Sequence, residues 1–140
     1  MRFASALTVL VVAIASGCGG SSHGAEPEPL DTTTTGALTV DWKVKGAANP
    51  SACVSAGAAV IEITVVTDAN ETLGTFEQLC SAFATSIVLT AGNYTASARL
   101  LDSARTALTT SMPIDEFTMH VKSELTVPID FPPSAFVVRR

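Results

Sequence analysis

Residues 91–102 read A-G-N-Y-T-A-S-A-R-L-L-D, and they decide the fold that this sequence predicts. The pair Gly92-Asn93 is a turn signal that runs directly into a segment of alternating side chains. The apolar parity of that segment holds Tyr94, Ala96, Ala98 and Leu100, and the other parity is mostly polar. A period of two with one apolar face is typical of a half-buried β-strand, so the core is expected beneath Tyr94 and Leu100.

Alternation of the same kind recurs on both sides of this strand. In residues 37–45, Trp42 shares the parity of the apolar side chains, which favours a buried core anchor over an exposed ring that stacks on a sugar. Further strands are predicted at residues 58–67, 74–80, 83–89, 106–119 and 125–131. The first of these is expected to be central because it is dense in β-branched side chains, and Pro113 places the 106–119 strand at an edge or a bulge.

Short strands separated by turns roughly every 8 to 12 residues indicate an all-β fold. We predict a Greek-key β-sandwich of about seven strands with one short helix. The helix is expected between Gly46 and Gly57, because Asn49 can cap it, Pro50 suits its first position and Gly57 can end it.

The N-terminus has the organisation of a secretory signal peptide, with Arg2, an apolar run over residues 4–15 and then small residues. The run is shorter than the roughly 20 apolar residues that span a bilayer. Ala15-Ser16-Gly17-Cys18 resembles the lipobox of bacterial lipoproteins, although Ala15 stands where that family most often has Leu. The resemblance implies that residues 1–17 are removed, that Cys18 carries lipid, and that the chain is anchored in the bacterial cell envelope. Gly19, which is not the Asp that commonly marks inner-membrane retention, favours the outer membrane. The alternative is an ordinary secreted protein with Cys18 as a free thiol.

Four segments follow from this pattern. Residues 1–17 are a lipoprotein signal peptide, and residues 18–36 are the lipidated cysteine and a disordered linker rich in Gly, Ser, Thr, Pro and acids. Residues 37–131 are the β-sandwich domain, and residues 132–140 are a loosely ordered tail. His23 lies in the linker, where a solvated side chain is the simpler interpretation than a metal ligand. Without residues 1–17 the chain has 7 basic and 13 acidic residues, which disfavours nucleic acid and anionic lipid as partners.

Two cysteines remain after Cys18, and an even pair in an exported protein indicates a disulfide. A bond between Cys53 and Cys80 closes a loop of about 28 residues and contributes roughly 3 to 4 kcal/mol in the chain-entropy model. The alternative is a catalytic thiol, which needs a base, and His120 is the single histidine of the predicted domain.

No catalytic, cofactor or metal signature is present in the sequence. The spacing of Asp68 and Asn70 is similar to the start of a calcium loop, but Leu73 and Leu79 occupy the positions that require Gly and Glu. The carboxylate pair Asp115-Glu116 is expected in a turn. The chain is therefore predicted not to be an enzyme and to use no cofactor.

Residues 91–98 resemble the A-G-x-Y-x-V-x-V turn and strand of the carboxypeptidase regulatory-like, transthyretin-like and Cna B-type domains, although Ala96 and Ala98 replace the usual Val. These are small Greek-key sandwiches, and the resemblance implies a structural or adhesive module with no catalytic residues. Some Cna B-type domains carry a Lys-to-Asn crosslink. Here Lys43 lies in the first strand, but the last strand offers Asp130 rather than Asn and both lie on the outward parity, so no crosslink is expected.

Two functions remain open from the sequence. The first is a membrane-anchored lipoprotein that presents the sandwich in a structural or protein-interaction role, with an envelope protein as partner. The second is a module that binds carbohydrate or peptidoglycan. Exposed aromatic side chains are the feature that the second requires, and most aromatics here fall on inward parities, which favours the first.

Overall fold

The computed structural model describes residues 34–138, which form two packed β-sheets. The predicted signal peptide, the lipidation site Cys18, His23 and most of the linker lie outside the described residues. One α-helix, α1 (Pro50–Ala56), lies between the first and second of the seven strands in the described residues. The strands are β1 (Thr35–Val44), β2 (Val60–Thr67), β3 (Thr72–Leu79), β4 (Ala84–Thr90), β5 (Gly92–Leu101), β6 (Met112–Met119) and β7 (Glu124–Phe131). The all-β sandwich with one short helix is confirmed.

One sheet has three strands in the order β4-β1-β7, and the other has four in the order β3-β2-β5-β6. The first and last strands pair in parallel, and every other pair is antiparallel. Strand β2 lies inside its sheet, as its β-branched composition predicts. The connections β2-β3 and β5-β6 stay within the four-stranded sheet, and the other four connections cross between the sheets, as in a Greek-key sandwich.

The core lies between the sheets and is built from the inward parities that the sequence shows. Trp42 is 1% exposed, Tyr94 is 5% exposed, and Ile61, Ile63 and Leu100 are fully buried. Tyr94 and Trp42 are therefore core residues, as predicted. Their polar atoms are satisfied internally: the Tyr94 hydroxyl donates to the Thr90 carbonyl at 2.9 Å, and the Trp42 indole N–H donates to the Cys80 carbonyl at 2.9 Å.

The turn before β5 differs from the prediction in its position. Gly92 and Asn93 belong to the strand, and the chain crosses from one sheet to the other at Ala91. The Tyr94 side chain folds back over this corner to reach Thr90, and a Cβ at Gly92 would stand 3.4 Å from its hydroxyl. The corner is thus held by the tyrosine rather than by a two-residue turn.

The helix has the predicted caps. The side chain of Asn49 accepts from the Ala52 N–H, Pro50 occupies the first turn, and Gly57 ends the helix with a φ of 70°. A left-handed C-cap favours glycine because no Cβ opposes it.

The predicted strand over 106–119 is wrong in its first half, because the strand begins at Met112. The Leu108 N–H donates to the Leu100 carbonyl, and the buried Thr109 hydroxyl accepts from the Leu100 N–H at 3.0 Å. Thr109 therefore faces inward and Thr110 is exposed. Pro113 lies on the edge strand β6, as predicted.

Asp115 and Glu116 lie in β6 and not in the predicted turn. The pairing of β5 with β6 shifts register here: Ala96 pairs with Ile114, and Tyr94 pairs with Phe117. An extra residue on one strand is a β-bulge, which lets the inward parity change from Ile114 to Phe117. Both carboxylates are exposed.

The folded part extends past both predicted boundaries. Thr35 and Gly36 are buried members of β1. After Phe131, Ala135 is 5% exposed, its carbonyl accepts from the Thr110 N–H, and the Val137 N–H donates to the Leu108 carbonyl. Residues 132–138 are therefore tied to the segment 108–110 instead of hanging loosely. No helix among residues 34–138 is long and apolar enough to cross a membrane.

Candidate functional site

The two domain cysteines form the predicted disulfide, with 6.0 Å between their Cα atoms. Cys53 lies on α1, and Cys80 begins a short 3-10 turn, Cys80–Ala82, between β3 and β4. The bond therefore fixes the helix against this turn. The Cys80 carbonyl is occupied by the Trp42 indole, so the turn is also held from inside the core.

Phe83 follows that turn in a left-handed conformation, with a φ of 58°. A positive φ at a bulky residue is a rare conformation that the surrounding structure must hold. Here the Phe83 carbonyl accepts from the Trp42 N–H at 3.1 Å, and its ring packs on Trp42 with 6.3 Å between ring centroids. The constraint leaves the Phe83 side chain half-buried at the rim of the three-stranded sheet.

Beside Phe83, the outer face of this sheet contains a hollow of about 530 Å³. It forms because three strands meet in register: Asp41 pairs with Ala84 of β4 and Pro128 of β7, and Lys43 pairs with Asp130. We call it the outer hollow, and the residues that line it include Asp41, Lys43, Ala48, Phe83, Pro128 and Asp130. A cavity of this size, with apolar walls and a few polar groups, is of the kind that takes small ligands.

The charged side chains that line the outer hollow form no ion pairs with each other. Within residues 34–138, Lys43 has no ion pair, and the Asp41 side chain has no hydrogen bond. Asp130 accepts from the Gly46 N–H at 3.1 Å, which leaves its second oxygen available. Two carboxylates and one ammonium group thus face a common space and carry a net charge that disfavours an anionic ligand.

The outer face of the four-stranded sheet is arranged differently. Arg99 donates to Glu62 at 2.6 Å, and Arg105 pairs with Glu77. A hollow of about 220 Å³ lies next to the first pair, with no aromatic side chain in its lining. The two arginines of this face are thus paired with neighbouring carboxylates, whereas Asp115 and Glu116 of β6 form no ion pair within residues 34–138.

Strand β4 is the third feature of interest, because one of its edges is open. It pairs only with β1 among the described strands. The Phe83 carbonyl accepts from the Trp42 N–H, and the Ala91 N–H donates to the Thr34 carbonyl. Residues that bond to the neighbouring strand alternate along an antiparallel strand with residues that do not. The residues whose backbone groups point away from the sheet are therefore Ala84, Ser86, Val88 and Thr90. Val88 is 60% exposed on this strand.

The other described sheet edges carry devices that discourage pairing. Strand β6 has Pro113 and a bulge, and β7 has Pro128 with an acidic residue at each end. Strand β3 has Gly74 and Glu77. Charges, prolines and bulges are the means by which proteins blunt exposed edges. The sequence of β4, A-T-S-I-V-L-T, has none of them.

The chain enters the described domain at the end opposite to the outer hollow. The Thr34 carbonyl accepts from the Ala91 N–H, and the Thr35 carbonyl accepts from the Lys122 N–H, so the domain begins beside the turn at 120–123. The outer hollow lies at the other end of β1, near Lys43. With a strand rise of about 3.3 Å per residue, these ends are separated by most of the length of the domain.

The structure brings no catalytic group together in residues 34–138. His120 is exposed at the turn next to where the chain enters, and Cys53 and Cys80 are bonded to each other. Within the described range, no three His, Cys, Asp or Glu side chains are grouped so that they could hold a metal ion. The sequence indicated the outward parity of Lys43 and Asp130, but it did not identify the hollow, since that depends on the pairing of β1 with β7.

No family model matches the sequence, and no curated protein matches it either. Among solved structures, the chain is similar to a DUF1812 protein of Bacteroides thetaiotaomicron VPI-5482 that is named as a candidate polysaccharide binder, with a TM-score of 0.45 and 14% identity over 67% of this chain and 46% of that one. It is also similar to a leucine-rich repeat protein of the same organism, with a TM-score of 0.45 and 13% identity over 71% of this chain and 12% of that one. The chain thus spans less than half the length of either protein.

Proposed function

We propose that this protein is a lipoprotein of the bacterial cell envelope, anchored in the outer membrane through lipid on Cys18, and that its sandwich is a non-catalytic protein-interaction module. The lipobox-like sequence before Cys18 supports the anchor. The position of Thr34 supports presentation, because a tether attached there joins the domain at the end opposite to the disulfide.

The observation that carries the interaction role is the open edge of β4. An extended peptide segment can add to such an edge as a further strand, and main-chain hydrogen bonds then supply the affinity. Strand β4 offers four outward residues for these bonds, and its exposed Val88 offers an apolar contact.

A photo-crosslinking amino acid at position 88 tests this role in cells that express the full chain. We expect adducts at position 88 and none at position 73, the matched control, because Leu73 is also an exposed apolar residue on an edge strand. The amides of Ser86 and Val88 should also become protected from hydrogen exchange in the purified adduct. Equal adducts at both positions, or unprotected β4 amides, would contradict the role.

The lipid anchor has its own test. The Cys18→Ser variant should lose metabolic labelling with a fatty-acid analogue and move from the membrane fraction to the soluble fraction, because lipid chains supply about 0.8 kcal/mol of binding per buried methylene. The Ser22→Ala variant is the matched control and should remain labelled. A Cys18→Ser variant that stays in the membrane fraction would refute the anchor.

Carbohydrate binding is the second candidate function, and the outer hollow is the observation that favours it. The half-buried Phe83 ring and Pro128 offer apolar surface, while Asp41 and Lys43 offer an acceptor and donors that no neighbouring side chain uses. A sugar ring presents both an apolar face and hydroxyl groups, so its chemistry matches this lining.

A glycan array and a peptidoglycan pull-down with the Cys18→Ser chain test the second candidate. Saturable binding should be lost in Asp41→Asn and in Lys43→Gln, and it should be retained in Thr64→Ala, which alters the opposite outer face. Binding that survives both hollow variants, or no binding to any glycan, would exclude the outer hollow as a sugar site.

A further inference from the structure

The outward backbone groups of β4 and its lack of charged residues indicate which strand can pair with its open edge. We infer that the strand that completes it is β4 of a second copy of this chain, paired antiparallel, so that two three-stranded sheets join into one six-stranded sheet. This inference rests on the proposed role of β4 as an interaction edge, and it names the partner.

The register of such a pair follows from the outward residues. With a twofold axis at Ile87, Ala84 lies opposite Thr90 of the second copy, and Ser86 lies opposite Val88. Every outward residue then faces an outward residue, which is the condition for hydrogen-bonded pairs in an antiparallel ladder. An axis at Ser86 leaves Thr90 unpaired, and an axis at Val88 leaves Ala84 unpaired. The pairing centred on Ile87 is therefore the one that uses the whole edge.

Charge favours a second copy at the β4 edge over the β7 edge of the same sheet. The chain has a formal net charge of −5, so two copies repel unless they meet at a neutral surface. Self-pairing of β7 about Val127 would place Glu124 opposite Asp130 of the second copy, and like charges directly opposite destabilise a sheet. No residue of β4 is charged. Of the two edges of the three-stranded sheet, β4 is thus the one at which two copies can approach without facing carboxylates.

The side chains of β4 fit the same arrangement. On the inner face, Ile87 and Leu89 are already buried, at 4% and 2% exposure, so the pairing requires no new apolar surface there. On the outer face, the exposed Val88 would lie beside Ser86 of the second copy and lose part of its contact with water. The pair would be held mainly by backbone hydrogen bonds, with Val88 as the apolar contact.

Sedimentation velocity with the Cys18→Ser chain tests this inference, because that chain has neither lipid nor a free thiol at position 18 to drive association. We expect a concentration-dependent monomer–dimer equilibrium. Val88→Lys should raise the dissociation constant at least about tenfold, since a lysine on an edge strand discourages pairing. Leu73→Lys makes the same change on the β3 edge and should leave the dissociation constant unchanged. Near-ultraviolet circular dichroism of each variant checks that the Trp42 environment is intact.

Hydrogen exchange gives the register. The amides of Ser86 and Val88 should be protected in the dimer and lose protection on dilution or in Val88→Lys, whereas those of Ile87 and Leu89 should be protected in both states. A chain that is monomeric at all concentrations, or a dimer that Val88→Lys does not weaken, would overturn the second copy as partner. If position 88 still crosslinks to a different protein in cells, the interaction role of β4 survives that result, and without such an adduct both fail.

Discussion

The two outer faces of the sandwich differ in how their polar groups are used. On the four-stranded sheet, Arg99 binds Glu62 and Arg105 binds Glu77, so both arginines have a partner of opposite sign. On the three-stranded sheet, Lys43 and Asp41 face the outer hollow without an ion pair or hydrogen bond within residues 34–138. The arginines of the first face are therefore paired within the domain, whereas Lys43 on the second face is not.

The edges show the same difference. Strands β3 and β6 border the four-stranded sheet and carry Gly74, Glu77, Pro113 and a bulge. The three-stranded sheet has one blocked edge, β7 with Pro128, and one edge without a blocking residue, β4. The outer hollow and the open edge, which carry the two proposed functions, therefore belong to one sheet. The following predictions test this contrast, from the largest expected effect to the smallest.

Trp42→Ala is the most damaging change to the three-stranded sheet. It removes a fully buried ring, leaves Phe83 without its aromatic support and leaves the Cys80 carbonyl without its donor. We expect the free energy of unfolding, measured by urea denaturation, to fall by about 3–5 kcal/mol. Leu100→Ala in the opposite sheet is the control and should cost about 2–5 kcal/mol without disturbing Phe83. A loss below about 1 kcal/mol for Trp42→Ala would contradict its supporting role.

Removal of the disulfide should have the next largest effect. The double variant Cys53→Ala/Cys80→Ala frees α1 from the turn that precedes Phe83, and the sequence separation of 27 residues corresponds to a loss of roughly 3 to 4 kcal/mol in the chain-entropy model. Thermal unfolding with and without reductant measures it in the natural chain. If reduction leaves the melting temperature unchanged, the bond does not constrain the end that carries the outer hollow.

Tyr94→Phe tests the link between the two sheets at the other end of the domain. The variant keeps the ring and removes the hydroxyl that bonds to Thr90, so the free energy of unfolding should fall by about 0.5–1.5 kcal/mol. Thr95→Val, an exposed change on the same strand, is the control and should cost less. An unchanged stability in Tyr94→Phe would show that the corner at Ala91 is held by packing alone.

The smallest expected effects are the stability costs of removing one basic side chain from each outer face. Arg99→Gln should cost about 0.2–1 kcal/mol, less at high salt, because it leaves Glu62 opposite Glu77 without its partner. Lys43→Gln should leave the free energy of unfolding within about 0.5 kcal/mol of the natural protein, since it breaks no ion pair. Equal stability costs for the two variants would remove the distinction between the paired Arg99 and the unpaired Lys43.

Much of the fold was predictable because it depends on local patterns. The parities of β1, β2 and β5 identified the core residues, and the caps Asn49 and Gly57 identified α1. Where the chain departs from local regularity, the prediction failed. The segment before Met112 was predicted as strand, yet it bonds to Leu100 and to residues 135–137, which are distant in sequence. The bulge at Asp115 and Glu116 likewise depends on the partner strand.

The sequence by itself determined the all-β class, the inward side chains and the pairing of Cys53 with Cys80, because alternation and cysteine number are properties of the chain alone. The outer hollow and the open edge were decided by tertiary structure. Asp41, Lys43, Phe83 and Asp130 are brought together by the parallel pairing of β1 with β7 and the antiparallel pairing with β4. An open edge exists only once the strand order is set. Alternation says which side of a strand faces the core, but it does not say which strand lies beside it, and binding depends on the neighbour.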